Sequence, residues 1–144
     1  MKIIIQRAIQ GSVSVDGKVI GEIRQGYVLL VGMKAGDTED VVATMAEKVA
    51  NVRIMADEEG KMNRSILDAG GSVLAISQFT LYADTKGRRP GFTEAARPEI
   101  AEPLFIEFVG ALKAQGINVE MGKFGADMKV SLVNDGPVTI ILEN

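Results

Sequence analysis

Residues Ser12–Ile23 read SVSVDGKVIGEI, with apolar and polar residues alternating on either side of Asp16-Gly17. Alternation with a period of two places one face of a strand against a core, and Asp-Gly between two such runs is a strong hairpin signal. Upstream, KIIIQRAI (Lys2–Ile9) is rich in β-branched residues and reads as a strand. Downstream, YVLLVGM (Tyr27–Met33) reads as a third, more fully buried strand. The chain therefore opens as an antiparallel sheet.

The period then changes. In GDTEDVVATMAEKVANV (36–52), Val41, Val42, Met45, Val49 and Val52 fall on one helical face, with Asp37 as the expected N-cap. RIMADEEGKMNRSI (53–66) reads as a short strand, an acidic turn at Asp57–Gly60 and a return. Asp57, Glu58 and Glu59 are three successive acids before a glycine, and that pattern is a solvated turn more readily than an acid–base set. GSVLAISQFTL (71–81) is a strand entered through Gly70-Gly71. A second helix follows in TEAARPEIAEPLFIEFVGALKAQG (93–116), where Ile100, Leu104, Phe105, Phe108, Val109 and Leu112 form the expected buried stripe. Pro98 suits its first turn and Gly116 its stop, while Pro103 predicts a late start or a bend. INVEMG (117–122), MKVSLVN (128–134) and PVTIILEN (137–144) close the chain as strands, with NDGP (134–137) as a tight turn. On X-Pro statistics its Gly136-Pro137 bond is expected to be trans.

The fold expected is α/β of the α+β kind: a mostly antiparallel curved sheet or barrel-like core with two main helices packed on it. Its 144 residues suit one domain, 1–144. An apolar content of 47%, charged content of 24% and net charge of −3 fit an ordinary globular chain without a global positive field for nucleic acid. The N-terminus lacks the features of a secretory signal and no stretch has the ~20 apolar residues of a membrane span, so a cytoplasmic setting with no membrane partner is expected.

The chain has no cysteine and no histidine. That removes thiolate nucleophiles, the usual base near neutral pH and the commonest zinc ligands. No metal and no cofactor are expected. Glycine-rich phosphate loops of Walker or dinucleotide type are absent as well.

Two places remain for chemistry. Along 73–81 as a strand, Gln78 and Thr80 share a face that had been apolar at Leu74 and Ile76. This is either a site at a strand end or a strand emerging into solvent, and spacing does not separate the two. A Ser77 or Thr80 nucleophile lacks a partner base, since the residue three beyond Ser65 is Asp68 and three beyond Ser77 is Thr80, not lysine. In DTKGRRPGF (84–92), Lys86, Arg88 and Arg89 cluster next to Phe92, a pattern that grips phosphate and stacks bases or else is a solvated loop.

SQFTL (77–81) with NDGPVT (134–139) resembles the two signature motifs of the D-aminoacyl-tRNA deacylases. IIIQRA, GKMN (60–63), GGSVL and GRRPGF fall in the order of that family along the whole chain. The resemblance implies hydrolysis of the ester joining a D-amino acid, or mischarged glycine, to the end of its tRNA. It also implies a homodimer in which the Gly136-Pro137 bond is cis and its loop reaches the partner's active site. Ser77, Gln78, Phe79 and Thr80 would line the catalytic pocket, and Gly136 and Pro137 would form the chirality filter. Charged tRNA is the implied substrate, with its own 2′-hydroxyl assisting the reaction. Lys86, Arg88 and Arg89 are candidates for RNA contact, and Arg7 for bracing the filter loop.

Overall fold

A computed structural model describes residues 1–144. The element order is β1 (Lys2–Val15), β2 (Lys18–Ile23), β3 (Gly26–Gly32), α1 (Glu39–Asn51), β4 (Met55–Ala56), β5 (Met62–Arg64), α2 (Ile66–Ala69), β6 (Ser72–Ser77), a 3-10 turn (Phe79–Tyr82), α3 (Pro98–Ala114), β7 (Asn118–Met121) and β8 (Lys129–Glu143). Asp16-Gly17 is the expected hairpin turn. Val15 faces Lys18, and the two turn residues have φ of 51° and 75°, the left-handed pair that a two-residue hairpin needs.

The return from that turn is shared by β2 and β3, which together line one edge of β1. β8 runs antiparallel along the other edge. β3 then pairs in parallel with β6, and β6 in parallel with β7, so antiparallel hairpins at one side pass into crossover connections at the other. The sheet curls until β2 comes back over β6 and β7. A Cβ on Gly21 would stand 3.3 Å from both Leu74 Cδ1 and the Met121 carbonyl oxygen, so the glycine permits the closure.

One face of the sheet meets α1 and α3 in the main core, which includes Ile3, Ile5, Tyr27, Leu29, Val73, Phe105 and Phe108. The inside of the curl holds a smaller apolar cluster of Ala8, Val13, Ile23, Val28, Leu74 and Ile76, with Met128, Val130 and Leu132 half-buried against it.

Several local expectations are corrected. Thr38, not Asp37, caps α1: Thr38 Oγ1 accepts from Val41 N at 3.4 Å. Asp37 instead accepts from Lys34 N at 2.7 Å and from the Met1 amine at 2.8 Å. The buried face of α1 is Val42, Met45, Ala46, Val49 and Ala50; Val41 is only partly covered and Val52 lies beyond the last turn. In α3 the stripe centres on Ala101, Phe105, Phe108 and Leu112, and Ile100 is exposed because it sits about 100° round from Ala101. The helix does not start late: it begins at Pro98 and runs through Pro103. The short α2 has no periodic signature, and its trace in sequence is the reciprocal cap between Ser65 and Asp68.

Two corrections move the candidate site. β6 stops at Ser77, so Gln78 and Thr80 do not stand on one strand face. NDGP is not a corner between two strands either. β8 passes through it, and Asp135–Val138 form a bulge opposite the single residue Arg7.

Tyr27 makes a test of the core. Its ring is fully buried, its hydroxyl has no hydrogen-bond partner, and burial raises its pKa to about 12, partly offset by the Arg7 charge. The folded state therefore favours the protonated phenol. That preference holds in full below the ordinary value of 10.0 and disappears as pH rises towards 12. A urea-midpoint series is expected to fall between pH 10 and 12 in the parent. The fall should be smaller in Tyr27→Phe, which at neutral pH should be no less stable because it removes an unpaired buried hydroxyl.

Candidate active site

β6 and β3 end together, and the backbone turns sharply just after them. Gln78 N donates to the Val31 carbonyl at 2.8 Å, and Leu81 N donates to the Gln78 carbonyl at 3.3 Å, winding Phe79–Tyr82 into a 3-10 turn. A cleft of about 620 Å³ opens there. Ser77, Gln78 and Phe79 form one wall; Phe92, Ala95–Pro98 and Ala101, from the approach to α3 through its first turn, form another; and Phe105 and residues 124–128 line the rest with neighbouring strand residues. Phe79 meets Phe92 edge-on at 5.1 Å, and Phe105 meets Phe124 at 6.3 Å. The result is a largely apolar slot whose polar lining residues are Ser77, Gln78, Arg97 and Asp127, suited to a flat organic group.

Thr80 lies outside the cleft lining and is exposed. Its hydroxyl accepts a hydrogen bond from the Gln78 side-chain amide. The polar pair expected at a strand end is thus real, but a tight turn creates it. The deeper aromatics were not legible as site residues, because Phe105 reads as helix stripe and Phe124 as an isolated apolar residue.

The basic residues sit beside this mouth. Asp84 and Gly91 bond each other's backbones at 2.8 and 2.9 Å, closing a loop that displays Lys86, Arg88 and Arg89 next to Phe92. All three cations are exposed, and none takes part in an ion pair.

The second candidate, the Gly136 bulge, is held by side chains. Arg7 Nε donates to the Asp135 carbonyl at 3.0 Å and lies 3.5 Å from the Asp135 carboxylate, while Arg7 Nη1 donates to the Ile54 carbonyl at 2.8 Å. Asn134 spans the bulge from the other side: its Oδ1 accepts from Val138 N at 2.9 Å and its Nδ2 donates to Thr139 Oγ1 at 3.0 Å. The Gly136-Pro137 bond is cis, as the resemblance implied and X-Pro statistics did not, and Gly136 has φ of 131°. Both residues are exposed, at a rim of the sheet.

Cleft and bulge of one chain lie at opposite ends of β3. Arg7, beneath the bulge, pairs with Tyr27, whereas Ser77 pairs with Val31, four residues further along. That is about 13 Å along the strands before any lateral spacing is counted.

The chain thus combines a curled sheet, an aromatic slot at one strand end and a clamped main-chain bulge at its rim. The family model described as D-Tyr-tRNA(Tyr) deacylase matches residues 4–143, and the chain belongs to that family. Among its relatives, a D-aminoacyl-tRNA deacylase of Roseiflexus castenholzii is 57% identical over all of this chain and 92% of its own length. Another of that name, from Bacillus cytotoxicus, is also 57% identical and is covered over 99% of its length. Of solved structures, a c-Myc DNA Unwinding Element Binding Protein superposes with a TM-score of 0.95 at 38% identity, covering 100% of this chain and 99% of that one. A probable eukaryotic D-amino acid tRNA deacylase superposes with a TM-score of 0.86 at 16% identity, over 98% and 97% of the two chains, and shares the fold.

Proposed function

We propose that this protein hydrolyses the ester of D-aminoacyl-tRNA, and of mischarged glycyl-tRNA, to free tRNA and amino acid. The observation that carries this reading is the family match over residues 4–143. In it the cleft takes the terminal aminoacyl-adenosine. Gln78 and backbone N–H groups near Phe79 supply donors to the developing oxyanion, and the substrate's ribose 2′-hydroxyl assists the attack of water. No nucleophile is drawn from the protein. Ser77, Gln78 and Phe79 line the pocket, Thr80 beside it holds the Gln78 amide, and Lys86, Arg88 and Arg89 meet the RNA backbone in an otherwise acidic chain.

Handedness is sensed by main chain. Enantiomers exchange a side chain for a hydrogen at Cα, so a wall placed close to that carbon admits hydrogen and rejects any side chain. Gly136 lets backbone come that near, and Pro137 stiffens it. D-amino acids and glycine pass; L-amino acids collide. Because bulge and cleft of one chain lie at opposite ends of β3, the filter acts in a homodimer, with the bulge of one subunit entering the cleft of its partner. The site is then completed by one catalytic domain from each copy, in the cytoplasm where charged tRNA is used.

A paired assay decides. Purified protein is expected to deacylate D-tyrosyl-tRNA and to spare L-tyrosyl-tRNA; equal cleavage of both, or of neither, would end the proposal. A second reading is favoured by one relative, the c-Myc DNA Unwinding Element Binding Protein, which is named for binding DNA. On that reading the Phe79–Phe92 pair and the Arg88–Arg89 loop bind single-stranded nucleic acid without turnover. It predicts salt-sensitive binding and no ester hydrolysis.

A further inference from the structure

The Arg7 guanidinium has two anchors, and only one belongs to the bulge it supports. The other is the carbonyl of Ile54, in the short unpaired stretch between α1 and β4. A carbonyl in such a stretch has no ladder to hold it, so something else must keep it aimed at Arg7.

The Ile54 side chain, buried in the main core, does part of this, and the neighbouring hairpin is bonded to the residue just before it. β4 and β5 pair as Met55–Arg64 and Ala56–Met62, which leaves Asn63 as the extra residue of a bulge with its own carbonyl out of the ladder. Arg53 takes both acceptors of that residue: its Nε donates to the Asn63 carbonyl at 2.8 Å and its Nη2 to Asn63 Oδ1. This is the two-pronged grip that guanidinium geometry favours. Asn63 Nδ2 in turn donates to Asp57 Oδ2 at 3.3 Å, and Asp57 Oδ1 accepts from Lys61 N and Glu59 N at 2.9 Å each. The Asp57 carboxyl is held below its ordinary range, first by the Lys61 amide, so this anchor is ionised at neutral pH. The acidic turn is therefore a structural cap, and the chain of bonds runs from it through Asn63, Arg53 and the Ile54 backbone to Arg7 and the bulge.

We propose that Arg53 and Asn63 are positioning residues for the Gly136 loop, fixing the Ile54 carbonyl that orients Arg7. The proposal rests on the filter reading above. Both side chains are exposed and neither lines the cleft, so any influence on stereoselectivity must travel through Arg7.

The test measures kcat/KM on D- and L-tyrosyl-tRNA for the parent, Asn63→Ala, Arg53→Ala, Arg7→Ala and the double variant Arg7→Ala/Asn63→Ala. Glu58→Ala, in the same turn but outside the bonded chain, is the control. Melting temperatures and hydrogen exchange at the Gly136 and Val138 amides accompany the kinetics. Asn63→Ala and Arg53→Ala are each expected to lower the D:L ratio by roughly threefold to thirtyfold and to speed exchange in the bulge. Glu58→Ala should change neither. In the double variant the Asn63 effect should vanish, since its path through Arg7 is already cut. A parent D:L ratio kept by both single variants overturns the proposal while leaving the filter intact. So does a loss that adds fully to that of Arg7→Ala, or one matched by the control. A parent without stereoselectivity fails the filter itself, and the proposal with it.

Discussion

Gly136→Ala is expected to lower kcat/KM on D-tyrosyl-tRNA by about a hundredfold. A Cβ at this position would stand 2.8 Å from Val138 Cγ2, 3.1 Å from Val138 N and 3.2 Å from Arg7 Nη2. The backbone atom cannot yield without moving the bulge, and φ of 131° is itself a conformation that L side chains rarely adopt. The loop must shift, and a displacement near 1 Å in a positioning element costs on the order of 10²-fold in rate. Overall stability should change little by comparison, because the bulge is exposed at a rim and lies outside the main core. Single-turnover deacylation with a parallel melting curve checks both parts. Parent-like rate and selectivity in this variant would falsify the assignment of Gly136 to the filter.

The other large effect is expected from the substrate. Charged tRNA ending in 2′-deoxyadenosine should react roughly 10²- to 10⁴-fold more slowly, the usual weight of a positioned acid–base group. Thr80→Ala should cost less than about tenfold on the same scale. Thr80 is exposed, outside the cleft, and its hydroxyl is occupied by the Gln78 amide. The phenols are no substitute as bases: Tyr27 is pushed up to about 12 and Tyr82 is raised as well, both chiefly by burial. Pre-steady-state kinetics would separate the accounts. An acyl-enzyme burst, or a Thr80→Ala loss exceeding that of the deoxy substrate, would favour a threonyl esterase.

The differences between sequence and structure fall where periodicity carries no information. Val13, Val15 and the Asp16-Gly17 turn were readable because a half-buried hairpin repeats every two residues around left-handed turn positions. The stripe from Leu104 to Leu112 was readable because a helix repeats every 3.6. Ile100 was misplaced because one residue at a helix start shifts by about 100° with the choice of first turn. β6 was read four residues too far, to Leu81 instead of Ser77, since Phe79 and Thr80 have strand propensity and nothing local announces a 3-10 turn.

Composition and local pattern determined the curled sheet with two long helices, the absence of cysteine and histidine chemistry, and the two motifs that mark the family. Only the tertiary structure decided that NDGP bulges from one continuous strand, that Arg7 and Asn134 hold it, and that bulge and cleft of one chain stand at opposite ends of β3. A turn signal specifies local dihedral angles, and β1 and β8 can restore their register on both sides of such a signal. Whether they do depends on pairings more than a hundred residues apart in sequence, which no short window of residues encodes.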